Sequence, residues 1–141
     1  MKREFILFIM FMLLCNTAFA ISDEKAYQCL LGEVRGESKE TIINTAHALR
    51  NRDYTQGVCG CRFIATEEEK KYLKATGKSE FIKMAWKRTL VDPDPTNGAT
   101  HWENVKAFGY PDWGDNPFYK THEDDGHVYF VRLYERPKDE E

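Results

Sequence analysis

The stretch Gly32-Glu33-Val34-Arg35-Gly36-Glu37 sets two carboxylates four residues apart, with an arginine and a glycine between them. A pair of carboxylates can cleave a glycosidic bond. One gives a proton to the leaving oxygen; the other activates water or attacks the sugar. In an unbroken helix the two Cβ atoms would lie about 5–6 Å apart. Tyr27, Leu30, Leu31 and Val34 repeat as i, i+3, i+4, i+7 around this stretch, the rhythm of an amphipathic helix. Glu33 falls to one side of that stripe, at a core–solvent border. A carboxyl partly withdrawn from water can hold and donate a proton nearer neutrality. Gly32 and Gly36 remove bulk beside Glu33, which would let a large ligand approach the backbone. Gly36 is also expected to end the helix in the left-handed cap position. Glu37 then has two readings, a second carboxylate of the site or a charge favoured by the dipole of the following helix. The plainer reading of both glutamates is a solvated surface pair beside Arg35.

Other residue types suggest rival chemistry. Cys59 and Cys61 sit in a tight Cys-Gly-Cys loop, with His101 or His127 as a conceivable base for a cysteine peptidase. That loop is a poor place for a lowered thiol pKa, which a helix N-terminus would favour. His47, His101, His122 and His127 show no paired spacing that specifies zinc, and no metal or other cofactor is expected. His47 reads as a packed helix residue. A third rival, from a different class, is a non-catalytic binding or inhibitor module.

The elements that must position these groups are readable in outline. The first helix is capped at Ser22 or Asp23. Ser38 caps a second, with Ile42, Ile43, Ala46 and Leu49 on its apolar face and an end near Asn51-Arg52. Thr66 and Glu69 form a capping box for a third, highly charged helix that stops near Gly77. Ser79 begins a fourth, with Phe81, Ile82, Ala85, Trp86 and Leu90 on one side, closed by Asp92-Pro93-Asp94-Pro95. Residues 92–104 read as a turn and a short extended piece. Residues 106–126 read as a long loop rich in Gly, Pro and aromatics, and loops of that length are often functional. Asp125-Gly126 leads into a strand from His127 to Tyr134. Helices first and a small antiparallel sheet toward the C-terminus make an α+β domain.

The chain of 141 residues suits one domain, expected over 21–134. Residues 1–20 read as a secretory signal peptide, with Lys2 and Arg3, an apolar run from Phe5 to Leu14, and an Ala18-Phe19-Ala20 ending. Residues 135–141 read as a disordered acidic tail. Removing Lys2, Arg3 and Glu4 with the leader leaves 18 basic and 22 acidic side chains. That balance carries no nucleic-acid footprint and no special attraction to an anionic membrane. Export implies a periplasmic, wall or extracellular site and no stable membrane insertion after leader cleavage, and it favours one disulfide, Cys29 with Cys59 or Cys61, over three reduced thiols. A monomer is expected.

Four segments, in order, resemble the SleB-type cell wall hydrolases, the spore cortex-lytic enzyme family. Leu30-Leu31-Gly32-Glu33-Val34-Arg35-Gly36-Glu37-Ser38 with Ile43-Asn44-Thr45-Ala46-His47-Ala48-Leu49-Arg50-Asn51-Arg52 resembles the family's glutamate-bearing helix and the helix after it. Asp94 to Trp102 resembles its D-P-T-x-G-A segment, Pro111-Asp112-Trp113 its P-x-W, and Asp124 to Phe130 its I-G-x-H-x-F-Y ending. Four motifs in the right order are more specific than any one of them. The family's Gln-Phe-Ser segment is replaced here by a stretch around Phe63 without Gln or Ser.

The resemblance implies a lysozyme-like fold and cleavage of peptidoglycan glycan strands at the β-1,4 bond between N-acetylmuramic acid and N-acetylglucosamine. It implies lytic transglycosylase chemistry with Glu33 as general acid and base, Glu37 entering only if water is the nucleophile. Thr100, His101, Trp102, Trp113, His127 and Tyr129 are then expected to line the cleft opposite Glu33. Trp102, Tyr110, Trp113, Phe118 and Tyr129 are candidates to stack on sugar rings, against the plainer expectation that most are core.

Overall fold

The computed structural model describes residues 20–114 and 117–132. The expected leader, apart from Ala20, and the expected tail lie outside those residues. So does the end of the expected strand, Leu133-Tyr134. Four helices come first: α1 (Asp23–Val34), α2 (Lys39–Arg52), α3 (Glu67–Ala75) and α4 (Lys78–Arg88). A 3₁₀ turn, Cys59–Arg62, lies between α2 and α3. Then come β1 (His101–Asn104), the one-turn helix α5 (Val105–Phe108), β2 (Phe118–Glu123) and β3 (His127–Arg132). The architecture is α+β, with a three-stranded antiparallel sheet in the order β1-β3-β2. No helix among the described residues is long and apolar enough to cross a membrane.

Side-chain caps set the helix starts. Ser22 accepts from Lys25 N, Ser38 from Thr41 N, and Thr66 forms the full capping box with Glu69. The fourth helix starts at Lys78, one residue before the expected Ser79, because Gly77 at φ 71° serves as its N-cap. The main core lies between α1, α2 and α4, with Leu30, Val34, Ile42, Leu49, Ile82 and Trp86 at 1% exposure or less. Leu90, expected on that face, lies beyond the end of α4 and is exposed.

Three corrections concern the frame of the site. Helix α1 ends at Val34 with Arg35 as a right-handed cap, and Gly36 is not among the residues with positive φ. Glu37 therefore stands in a turn, off the helix. The expected loop 106–126 contains a strand, β2, paired with β3 across a register shift between Lys120 and His122. Lastly, Gly32 does not make room for a ligand. A Cβ there would sit 2.1 Å from Gly60 O, so the glycine lets the protein's own 3₁₀ turn lie against α1. Gly60 is the reciprocal case: its Cβ would lie 2.5 Å from Glu33 N. The disulfide Cys29–Cys61 locks the same contact, one of the two pairings expected. Closing a loop of 32 residues contributes roughly 3–4 kcal/mol by chain entropy.

Candidate functional site

Helix α1 and the 3₁₀ turn form one wall of a cleft; β1, the edge strand, forms the other. The Asp94-Pro95-Thr96-Asn97-Gly98 turn aims β1. Asp94 accepts from Thr96 N, Thr96 Oγ1 and Gly98 N, while Asn97 and Gly98 take positive φ of 54° and 81°. The end of α2 fastens this turn. Asn51 Nδ2 donates to Asp94 Oδ2 at 2.8 Å and Ala99 O at 3.0 Å, and Arg52 donates to Thr100 O at 3.2 Å. Burial pushes the Asp94 carboxyl up, but the bonds from Thr96, Asn51 and Gly98 outweigh it and hold the carboxyl below its ordinary range.

Glu33 is half-buried at the centre of the cleft. The Gly60 N–H donates to its Oε1, and the Trp102 indole N–H donates to its Oε2 at 3.2 Å. The carboxyl is thus oriented from both walls at once. Two hollows, of about 600 and 620 Å³, meet here and share Glu33, Cys59, Trp102, Glu103 and Phe108. The first extends past Arg35, Arg62 and Phe63 to Asn104 and His127. The second extends past Arg52 and His101 to Trp113, Phe118 and Arg132. Together they are two halves of one groove, a size suited to an extended ligand.

Of the residues expected opposite Glu33, His101, Trp102, Trp113 and His127 line the groove. The His101 Nδ1 lies 2.8 Å from Thr100 Oγ1, and its ring meets Phe118 edge-on at 4.6 Å. Three candidates stand elsewhere. Thr100 does not line either hollow; it sits behind His101 as its hydrogen-bond partner. Tyr129 is fully buried, its hydroxyl held by Thr45, Thr41 O and Asp124, and burial pushes its phenol well up. Glu37 lines neither hollow, and its Oε1 accepts from Asn104 Nδ2 at 3.2 Å. Among the aromatics, Tyr110 is half-exposed, packs on Phe130 and lines neither hollow, whereas Phe118 is a buried wall of the second.

Two groove residues were not anticipated from the sequence. Glu103 follows Trp102 on β1 and lines both hollows. A carboxylate inside a short aromatic strand is the signal that marks it. Phe108 is 78% exposed yet lines both hollows, at the end of the one-turn helix that Asn104 caps through Ala107 N. An apolar ring left in solvent beside a groove is a ready platform for a sugar face.

Cys59, the thiol not in the disulfide, is exposed at the groove, but no histidine hydrogen-bonds to it among the described residues. His47 is buried, and burial lowers its pKa against the pull of Asp94. Among the described residues no group of three or more His, Cys, Asp or Glu could hold a metal ion. Compared with known proteins, the chain matches no family model, no curated protein and no solved structure.

Proposed function

We propose that this protein is a lysozyme-like enzyme that cleaves peptidoglycan glycan strands at the β-1,4 bond between N-acetylmuramic acid and N-acetylglucosamine. The observation that carries the reading is Glu33: a half-buried carboxyl on an open groove, gripped by the Gly60 N–H and the Trp102 indole. The resemblance to the SleB-type wall hydrolases supports the same assignment on the same residue. A strand of pyranose rings fits a groove with Phe108, Trp102 and Trp113 as apolar faces and His101, Asn104 and two arginine-bearing ends as hydrogen-bonding groups.

The reaction begins with transfer of the Glu33 proton to the glycosidic oxygen as the bond to C1 breaks. Positive charge then develops on the muramyl ring. Two completions balance. The ring's own 6-hydroxyl can attack C1 and lose its proton to the Glu33 carboxylate, giving a 1,6-anhydro end. Alternatively, water can attack, its proton passing to a second carboxylate.

The test is digestion of purified peptidoglycan with mass analysis of the fragments. New glycan ends are expected, and Glu33→Gln is expected to slow their release by about 1,000-fold, the scale of a lost general acid. Its melting temperature should fall by only a few degrees, since the amide oxygen can keep one of the two N–H donors while its NH2 cannot accept from the other. Release of free amino termini without glycan ends would overturn the reading. Retention on purified wall without soluble sugars would point to the binding-module alternative.

A further inference from the structure

We infer that Glu103 is the second carboxylate of this groove, and that it directs the reaction to hydrolysis by taking the proton of the attacking water. The inference rests on the glycan-cleaving reading of Glu33 and selects between its two completions.

Glu37 was the sequence's candidate for this task, but it stands off the helix, outside both hollows, with its carboxylate engaged by Asn104. Glu103 has the placement that Glu37 lacks. It lies on β1, across the groove from α1, and borders both hollows that Glu33 borders. The Asn104 N–H donates to Glu103 Oε1 at 3.1 Å, which fixes the side chain. Among the described residues Oε2 has no hydrogen-bond partner, and no cation pairs with the carboxylate. A half-buried carboxylate anchored through one oxygen, with the other unengaged on the groove that the acid also lines, is what a water-activating base requires. Arginines line the groove as well, so the absence of an ion pair to Glu103 is a feature of this geometry rather than of a groove without cations.

The step balances without a further reactant. Glu33 gives its proton to the leaving oxygen and the C1–O bond breaks. Water forms the new C1–O bond and its proton goes to the Glu103 carboxylate. Solvent exchange returns Glu103 to carboxylate and Glu33 to acid. The product has a reducing muramyl end, 18 Da heavier than an anhydro end.

The test is digestion of purified peptidoglycan in ¹⁸O-water, with fragments read by mass. Wild type is expected to give reducing ends carrying one ¹⁸O at C1. Glu103→Gln, which keeps an oxygen for the Asn104 N–H, is expected to release them at least about 100-fold more slowly, with strand binding changed less than about twofold. In Glu103→Ala, azide is expected to restore turnover and leave a glycosyl azide, an outcome that a merely structural role for Glu103 would not produce. Anhydro ends alone from wild type, or a Glu103→Gln rate within threefold of wild type, would overturn the inference while the glycan-cleaving reading stands. No glycan cleavage by wild type at all would overturn both.

Discussion

The molecule joins its helices to its sheet through two carboxylate clusters, one closed and one open. In the closed one, Asp124 accepts from Asn44 Nδ2 at 2.9 Å, the Tyr129 hydroxyl at 2.9 Å and the His127 N–H at 3.0 Å. Tyr129 reaches on to Thr45 and Thr41 O on α2, and Asn44 also meets His122 Nε2. In the open one, Glu33 meets two donors, Glu103 meets one, and both face the groove. Both clusters pair a carboxylate with the polar edge of a buried or half-buried aromatic. The first directs its carboxylate's hydrogen bonds inward to three protein donors; the second leaves Glu103 Oε2 without a donor among the described residues. Internal satisfaction makes a polar group structural, and incomplete satisfaction beside a cavity makes it available for chemistry.

The change that should break the open cluster most completely is Gly32→Ala. Its Cβ would lie within 2.1 to 2.5 Å of three backbone atoms of Gly60, which cannot yield as a flexible side chain can. The turn must lift from α1, against the Cys29–Cys61 bond, and its N–H leaves Glu33. A stability loss of about 3 kcal/mol is expected, read by denaturant titration, together with loss of glycan cleavage. Gly36→Ala is the control. Nothing lies within 4 Å of its Cβ and its φ is not positive, so it should be neutral or stabilise by up to about 1 kcal/mol.

The closed cluster should break with a smaller effect and a different pH signature. Burial pushes the Asp124 carboxyl up, but bonds from Asn44, Tyr129 and His127 outweigh it and hold it below its ordinary range. Such a group binds its proton less readily folded than unfolded. Its contribution is therefore complete above the ordinary carboxylate value near 4 and is lost as pH falls toward the depressed folded value. Asp124→Asn should cost about 2 kcal/mol at neutral pH and show a shallower fall in stability between roughly pH 5 and pH 2 than wild type. Denaturant titrations across that range read both effects. A loss of stability as steep as wild type would assign acid sensitivity to another carboxylate, Asp94 first.

How much of this was legible in the sequence follows from which forces are local. The caps at Ser22, Ser38 and Thr66 and the apolar stripes of α1, α2 and α4 were legible because a helix makes those contacts within a few residues of itself. Strand β2 was hidden: Phe118 to Glu123 has an irregular inside–outside order, broken by the register shift, so no clean period of two appears in the sequence. The purpose of Gly32 was hidden because Gly60, its contact, lies 28 residues away in sequence. Glu33 was legible as a border residue of an amphipathic helix. Glu103 was not, since its place depends on which edge of the sheet faces α1. Tyr129 was misassigned for a similar reason: an aromatic with a hydroxyl suits a sugar site and a buried network equally well until its neighbours are known.

The finest distinction between the clusters lies in a single N–H. Trp102 packs against the helical core and against the Ala48–Ala99–Tyr129 cluster between helix and sheet, and it also donates to Glu33. Trp102→Phe keeps an aromatic ring in that place and removes the donor. Because Glu33 is only half-buried and retains Gly60, stability should fall by about 1 kcal/mol or less. The rate of glycan cleavage should fall further in proportion, about fivefold, because the carboxyl is then oriented from one wall alone and a positioned acid loses rate when its geometry loosens. Steady-state measurements on soluble glycan fragments separate the two cases: a fall in kcat with KM little changed is expected. If the rate is unchanged while stability falls, the indole serves packing only, and the Gly60 N–H alone holds the acid in place.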